Sequence, residues 1–157
     1  MDQMDTYVIN IPGKSGRYSE RYRVSNNYIS FHVIFQEVFM NKRALGAHYE
    51  ALAAAWLEKK GIRILQRNFR TRFGEIDLVA LDERERATVL VFVEVKYRNS
   101  NFAGYAEEAV TVKKQKTIKY IADYYRVRYR VPEKMPCRFD VIAFQNGRLR
   151  HIENAFS

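Results

Sequence analysis

An α/β domain is the fold class this sequence predicts: a mixed central sheet flanked by helices, in the order helix, three strands, helix, strand. Three observations predict it. Two long stretches, from Lys42 to Lys60 and from Thr111 to about Arg130, carry apolar residues at helical spacing. Between them, two β-branched runs, 74–80 and 89–96, flank the charged connection Asp82-Glu83-Arg84-Glu85-Arg86 as a hairpin. A further apolar run, 138–144, follows the second helix.

Taken in order, residues 1–39 do not match the rest. They are polar and tyrosine-rich, with an apolar patch from Tyr28 to Met40 that Glu37, Gln36 and His32 interrupt, so no secretory signal is read there. They are expected to be an N-terminal extension outside the native fold, with Met40 at or near the natural start and 40–157 a single domain. An extra strand or hairpin is the alternative. A native tryptic peptide from residues 24–42 would sink the late start.

In the first helix Leu45, Tyr49, Leu52, Ala53 and Trp56 recur at three-, four- and seven-residue steps, and Gly61 supplies the stop. Glu50 falls at the rim of this apolar face, where an ordinary surface glutamate would also sit. Ile62 to Arg70 reads as a strand and Thr71–Gly74 as the turn that delivers Glu75 and Asp77 into the next one, on a shared face. Tyr97 to Tyr105 reads as a polar loop with three aromatics. Thr111 is the expected N-cap of the second helix and Pro132 its terminator. Ile118, Ile121, Ala122, Tyr125 and Tyr129 form its buried face, and Lys114 and Gln115 lie nearest the sheet. Gln145-Asn146-Gly147 is a turn before a short last strand, 149–152.

Composition sets limits. At 157 residues, 47% hydrophobic and 29% charged, with mean hydropathy -0.42, the chain fits one soluble domain and contains no apolar run of about 20 residues that would span a bilayer. The single Cys137 excludes an intramolecular disulfide framework and fits a reducing, cytoplasmic setting; it is expected to pack at a strand entrance. His32, His48 and His151 lack zinc-site spacing, so any metal would be held by oxygen. The net charge is +9. Residues 1–39 hold four basic and four acidic residues, so the whole excess lies on 40–157 and favours a polyanionic partner.

The oddity is the charge inside the strands. Side chains two apart share a strand face, so Glu94 and Lys96 project in line with Leu90 and Phe92, and Asp77 interrupts the preceding strand. Burying unpaired charge costs several kcal/mol, a cost tolerated where an ion or substrate supplies the partner. Asp140 is a second acid in an apolar run, read as structural through Arg138 or a helix lysine. Arg67, Arg70 and Arg72 could bind phosphate or form a solvated basic edge. Lys113, Lys114, Lys116 and Lys119 crowd the start of the second helix, where the dipole disfavours cations, which favours a phosphate-binding role.

Asp77 followed seventeen residues later by Glu94-Val95-Lys96 resembles the signature of the PD-(D/E)xK superfamily, with its restriction-endonuclease-like core. Asn41–Gly46 with Glu50, Asn68-Phe69-Arg70, Gly74–Leu78, Phe92–Lys96, Ala106–Thr111 with Lys113 and Gln115, and Cys137–Val141 together resemble the YraN-like bacterial family, related by fold to archaeal Holliday-junction resolvases. The resemblance covers residues 40 to about 153. It implies a metal-dependent endonuclease acting on nucleic acid, in the first instance DNA and including branched forms. Asp77, Glu94, Lys96 and Glu50 would be catalytic. Mg²⁺ or Mn²⁺ would be held by Asp77, Glu94, Glu50 and the Val95 carbonyl. Arg67, Arg70, Arg72, Arg98, Lys113, Lys114 and Gln115 would meet substrate, and a homodimer is compatible with resolvase-like relatives. The alternative is a catalytically silent nucleic-acid-binding protein of the same fold.

Overall fold

A computed structural model describes the backbone of residues 5–13, 16–25, 28–30, 42–98, 110–145 and 147–157, with side chains from residue 43 onward within those ranges. Strands β1 (Asp5–Gly13), β2 (Gly16–Ser25) and β3 (Tyr28–Ser30) pair antiparallel as a sheet of their own. The remaining elements are α1 (Lys42–Lys59), β4 (Ile62–Thr71), β5 (Gly74–Asp82), β6 (Val89–Arg98), α2 (Val112–Arg128), β7 (Cys137–Gln145) and β8 (Arg148–Phe156). They build a five-stranded mixed sheet in the order β4-β5-β6-β7-β8. The one parallel pair in it, β6 with β7, requires a long crossover, and α2 provides it.

Each face of this sheet carries a helix, which is why β5 and β6 read as nearly continuous apolar runs. Val91 and Val93 turn toward Leu52, Ala53 and Leu57 of α1, while Leu90 and Phe92 turn toward Ile118, Ile121 and Tyr125 of α2. Parity therefore sets Glu94 and Lys96 on the α2 face, as expected. The β4–β5 turn is pressed onto α2 as well: Gly74 has φ 141°, and a Cβ there would meet Ile121 Cδ1 at 3.2 Å and Thr117 Cγ2 at 3.3 Å.

Three boundaries differ from the sequence reading. Tyr97 and Arg98, expected to open a loop, extend β6 in register with Phe144 and Gln145, and the Tyr97 ring stacks on Tyr49 at 3.9 Å. Strand β8 continues to Phe156 because Asn154, at φ 51°, absorbs a bulge and lets Phe156 stack on Phe139 at 5.1 Å. Thr111 does cap α2, its side chain accepting from the Lys114 N–H, and the helix ends at Arg128, two residues before the expected limit of about Arg130, with Tyr129 as its C-cap and Arg130 turning left-handed at φ 52°. Residues 99–109, with Phe102, Tyr105 and the 106–109 part of the resemblance, lie outside the described residues. No helix among the described residues is long and apolar enough to cross a membrane.

The 82–86 connection is not simply solvated. Asp82 is buried, and its carboxylate accepts from Arg84 Nε at 2.8 Å and Nη2 at 2.6 Å and pairs with Arg138 Nη1 at 2.7 Å. Asp140, fully buried, accepts from Arg138 Nε at 3.0 Å and the Asn154 N–H at 3.0 Å, with His151 Nε2 at 2.9 Å; no helix lysine is involved. The Arg84 hydrogen bonds hold the Asp82 carboxyl far below the usual carboxylate range. Burial pushes Asp140 up, but its bonds to His151, Arg138 and Asn154 outweigh this and leave it below that range. Cys137 is half-buried beside the α2 core, consistent with a packing role.

Candidate active site

The site forms where β5 parts from β6. Their pairing runs only from Asp82↔Val89 to Leu78↔Val93. Beyond Leu78, β5 remains paired with β4 while β6 continues along β7. The first residue past the split is Asp77, and its Oδ2 accepts the Val95 N–H at 2.7 Å, so a carboxylate stands where a strand carbonyl would.

Glu94 is 3% exposed, with Oε1 on Lys96 Nζ at 2.6 Å. Its Oε2 lies 3.2 Å from Lys114 Nζ, close enough for an ion pair, yet the approach lacks hydrogen-bond geometry and leaves Oε2 a buried acceptor with no hydrogen-bond partner. On the α1 side, Glu50 Oε2 accepts from Asn68 Nδ2 at 2.8 Å. Asn68 stands between Arg67 and Phe69, which pair with Leu78 and Ile76 on either side of Asp77, and it has φ 53°, a conformation that Asn tolerates better than most residues. Asp77, Glu94, Lys96, Lys114 and Glu50 line a cavity of about 240 Å³ together with Gly46, Tyr49, Glu75, Val95 and Tyr97. Glu75 is steadied by Arg70 Nε at 3.0 Å.

Four carboxylates and two lysines therefore share one wall. Burial first, then the charge of Glu94 and more weakly that of Glu50, push the Asp77 carboxyl up to about 7, against the opposing effects of the Val95 N–H and Lys114. The sign of the linked stability follows. Between about pH 4 and 7 the folded chain holds a proton on Asp77 that the unfolded chain has released, so folding weakens as pH rises through that window. Asp77→Asn keeps an acceptor for Val95 and removes this effect. We expect it to be more stable than wild type at pH 8 by between about 1 and 4 kcal/mol, with little gain at pH 4. Urea midpoints at both pH values check this; equal gains at the two would show that Asp77 carries no burdened charge.

Of the residues expected at the site, Asp77, Glu94, Lys96, Glu50, Val95 and Lys114 line one cavity. The others stand outside it. Arg67 Nη2 is 3.9 Å from Glu58; Arg72 lies over the Phe73 ring at 4.6 Å; Arg98 ends β6; Lys113 is exposed at the start of α2. Gln115 Nε2 donates to the Val110 carbonyl at 3.0 Å, which fixes the helix entry. Among the described residues no group of three or more His, Cys, Asp or Glu side chains is gathered closely enough to hold a metal ion. The Asp77–Glu94–Glu50 set is thus not drawn into one cluster, with Glu50 turned to Asn68 and Glu94 between two lysines. Asn68 and the tyrosine pair Tyr49–Tyr97 were not read as site residues. An asparagine inside a strand was the available signal for the first.

A family model described as uncharacterised protein family UPF0102 matches residues 49–144, a span that holds every cavity residue except Gly46. A UPF0102 protein of Lachnoclostridium phytofermentans is 49% identical over 117 residues, covering 74% of this chain and 96% of the relative. One from Chlorobium phaeobacteroides is 49% identical over 122 residues, 71% of this chain and 93% of the relative. One from Aeromonas hydrophila is 40% identical over 126 residues, 80% and 94% respectively. On this likeness the chain belongs to the UPF0102 family, the YraN-like group that its motifs resemble.

Proposed function

We propose that the protein is a metal-dependent endonuclease that hydrolyses phosphodiester bonds of DNA in this cavity. One observation carries the reading: the buried Glu94 Oε2 has no hydrogen-bond partner, beside an Asp77 whose carboxyl is pushed up by burial and, after that, by the charge of Glu94. Such a wall has surplus negative charge and spare oxygen lone pairs, the condition that a hard cation relieves. Asp77, Glu94 and the Val95 carbonyl are the donors that would hold Mg²⁺ or Mn²⁺; Glu50 adds negative potential from across the cavity. When bound, the ion neutralises phosphate charge and acidifies a water.

The remaining work falls to the chain itself. Lys96, held by Glu94 at 2.6 Å, presents an ammonium that can orient the attacking water and stabilise charge gathering on phosphate oxygens. Lys114 enters from α2 and offers a second cation to the same phosphate. The Val95 N–H fixes the Asp77 carboxylate, so the donor does not reorganise during the reaction. The basic excess on residues 40–157 draws a polyanion toward the cavity.

The test is a cleavage panel at low salt, with labelled duplex, single-stranded, flapped and four-way-junction DNA and either Mg²⁺ or Mn²⁺. Cutting of at least one substrate, abolished by EDTA, is expected. A second reading, a binding protein with a silent site, draws on the two lysines that already engage Glu94 and on the separation of the carboxylates. Tight, salt-sensitive binding without cutting would favour it.

A further inference from the structure

Outside the cavity, α2 and the β4–β5 turn carry aromatic side chains that stay largely exposed, although Tyr124 also leans on the core ring of Phe69 at 6.3 Å. Phe73, Tyr120 and Tyr124 are 43%, 52% and 44% exposed. Tyr120 and Tyr124 are four residues apart, so their rings lie along one helix face. Phe73, from the β4–β5 turn, meets Tyr120 edge-on with ring centroids 4.8 Å apart. The turn is held there by the seat of Gly74 against Thr117 and Ile121. Cations border the rings: the Arg72 guanidinium lies over Phe73, and Lys116 is exposed one helical turn before Tyr120. The only acid in α2, Asp123, sits at the edge of this face.

From this arrangement we infer that Phe73, Tyr120 and Tyr124 form a stacking platform for unpaired bases of single-stranded DNA. The inference rests on the nuclease reading for its polymer and deepens it by naming the form of substrate. Aromatic faces interleaved with cations bind single strands because every base has a π-face and every linkage a negative charge. The platform also adjoins the cavity along the chain. Phe73 is two residues from Glu75, and Lys113 continues from Lys114, with both Glu75 and Lys114 in the cavity wall. A two-fold contact between copies fits less well, because it would bring Arg72 and Lys116 of each copy against the same charges of the other.

The test measures binding by the full chain in EDTA, which separates it from cleavage. The probe is fluorescent oligo-dT of about 15 nucleotides, within the span of known single-strand sites, compared with a blunt duplex of the same length. Tyr120→Ala and Phe73→Ala should each weaken oligo-dT binding by about tenfold, in the range for one stacked base, and leave duplex binding within about twofold. Because both side chains are exposed, folding should survive; Tyr120→Trp serves as the second arm, retaining affinity with its indole emission quenched by oligo-dT. Equal losses on both probes, unchanged oligo-dT affinity, or an Ala variant that alters the oligomeric state instead would each overturn the platform. Ring-dependent binding by a wild type that never cuts would uphold the platform while the nuclease reading fails. Cutting that persists with ring-independent binding would do the reverse.

Discussion

Glu94→Gln is expected to lower metal-dependent cleavage by about 10³-fold or more, the several kcal/mol that a correctly held ion contributes to the transition state. The substitution keeps the shape of a residue only 3% exposed and removes one charge. That charge has three effects in the cavity. It supplies the buried Oε2 donor, and it anchors Lys96 at 2.6 Å. It also helps to push the Asp77 carboxyl up, so its loss should return Asp77 toward an ordinary carboxylate and flatten the decline of stability above pH 4. Cleavage rates under single-turnover conditions, with circular dichroism to verify the fold, give the answer. A variant that cuts within tenfold of wild type would remove Glu94 from the chemistry.

Asp140→Ala should lower folding free energy by about 3–5 kcal/mol, the usual loss when one partner of a buried ion pair is removed. This is a large share of the roughly 5–15 kcal/mol that a domain has. The carboxylate satisfies Arg138, His151 and the Asn154 N–H together, and Arg138 in turn holds Asp82. Alanine would strand the 16%-exposed Arg138 side chain beside a bulge that no longer has its acceptor. None of these groups lines the candidate active site, so activity per folded molecule should persist. The network also sets acid tolerance: both carboxyls lie below their unfolded values, so their contribution is complete above about pH 4 and is lost as pH falls below it. A shift in the urea midpoint worth under about 1 kcal/mol would mean that solvent replaces the network.

The sequence made the elements legible because their patterns are local. Apolar spacing marked both helices, Thr111 its cap, and the β-branched runs their strands; strand parity alone set Glu94 and Lys96 on one face. Lys114 was placed toward the sheet by its position on the helical wheel, and it does reach Glu94. What could not be read depends on contacts across the sheet. Asp82 looks like any turn acid until Arg138, fifty-six positions later, lies beside it. Tyr97 looks like loop until Tyr49 supplies a ring to stack on. The engagement of Glu50 by Asn68 needs the backward turn of one strand residue, which no periodicity announces.

The parting of β5 from β6 has a mechanical consequence. The tip carrying Gly74 and Asp77 is mounted on α2, whereas the end of β6 carrying Glu94 and Lys96 is mounted on β7 and, through Tyr97, on α1. The cavity therefore straddles a seam between two strand ends with different supports. Two clasps cross it: Asp77 to the Val95 N–H, and Lys114 to Glu94. Beyond Leu78 the spacing of the acids is therefore set by these side-chain contacts and by the seating of the tip on α2, rather than by strand pairing.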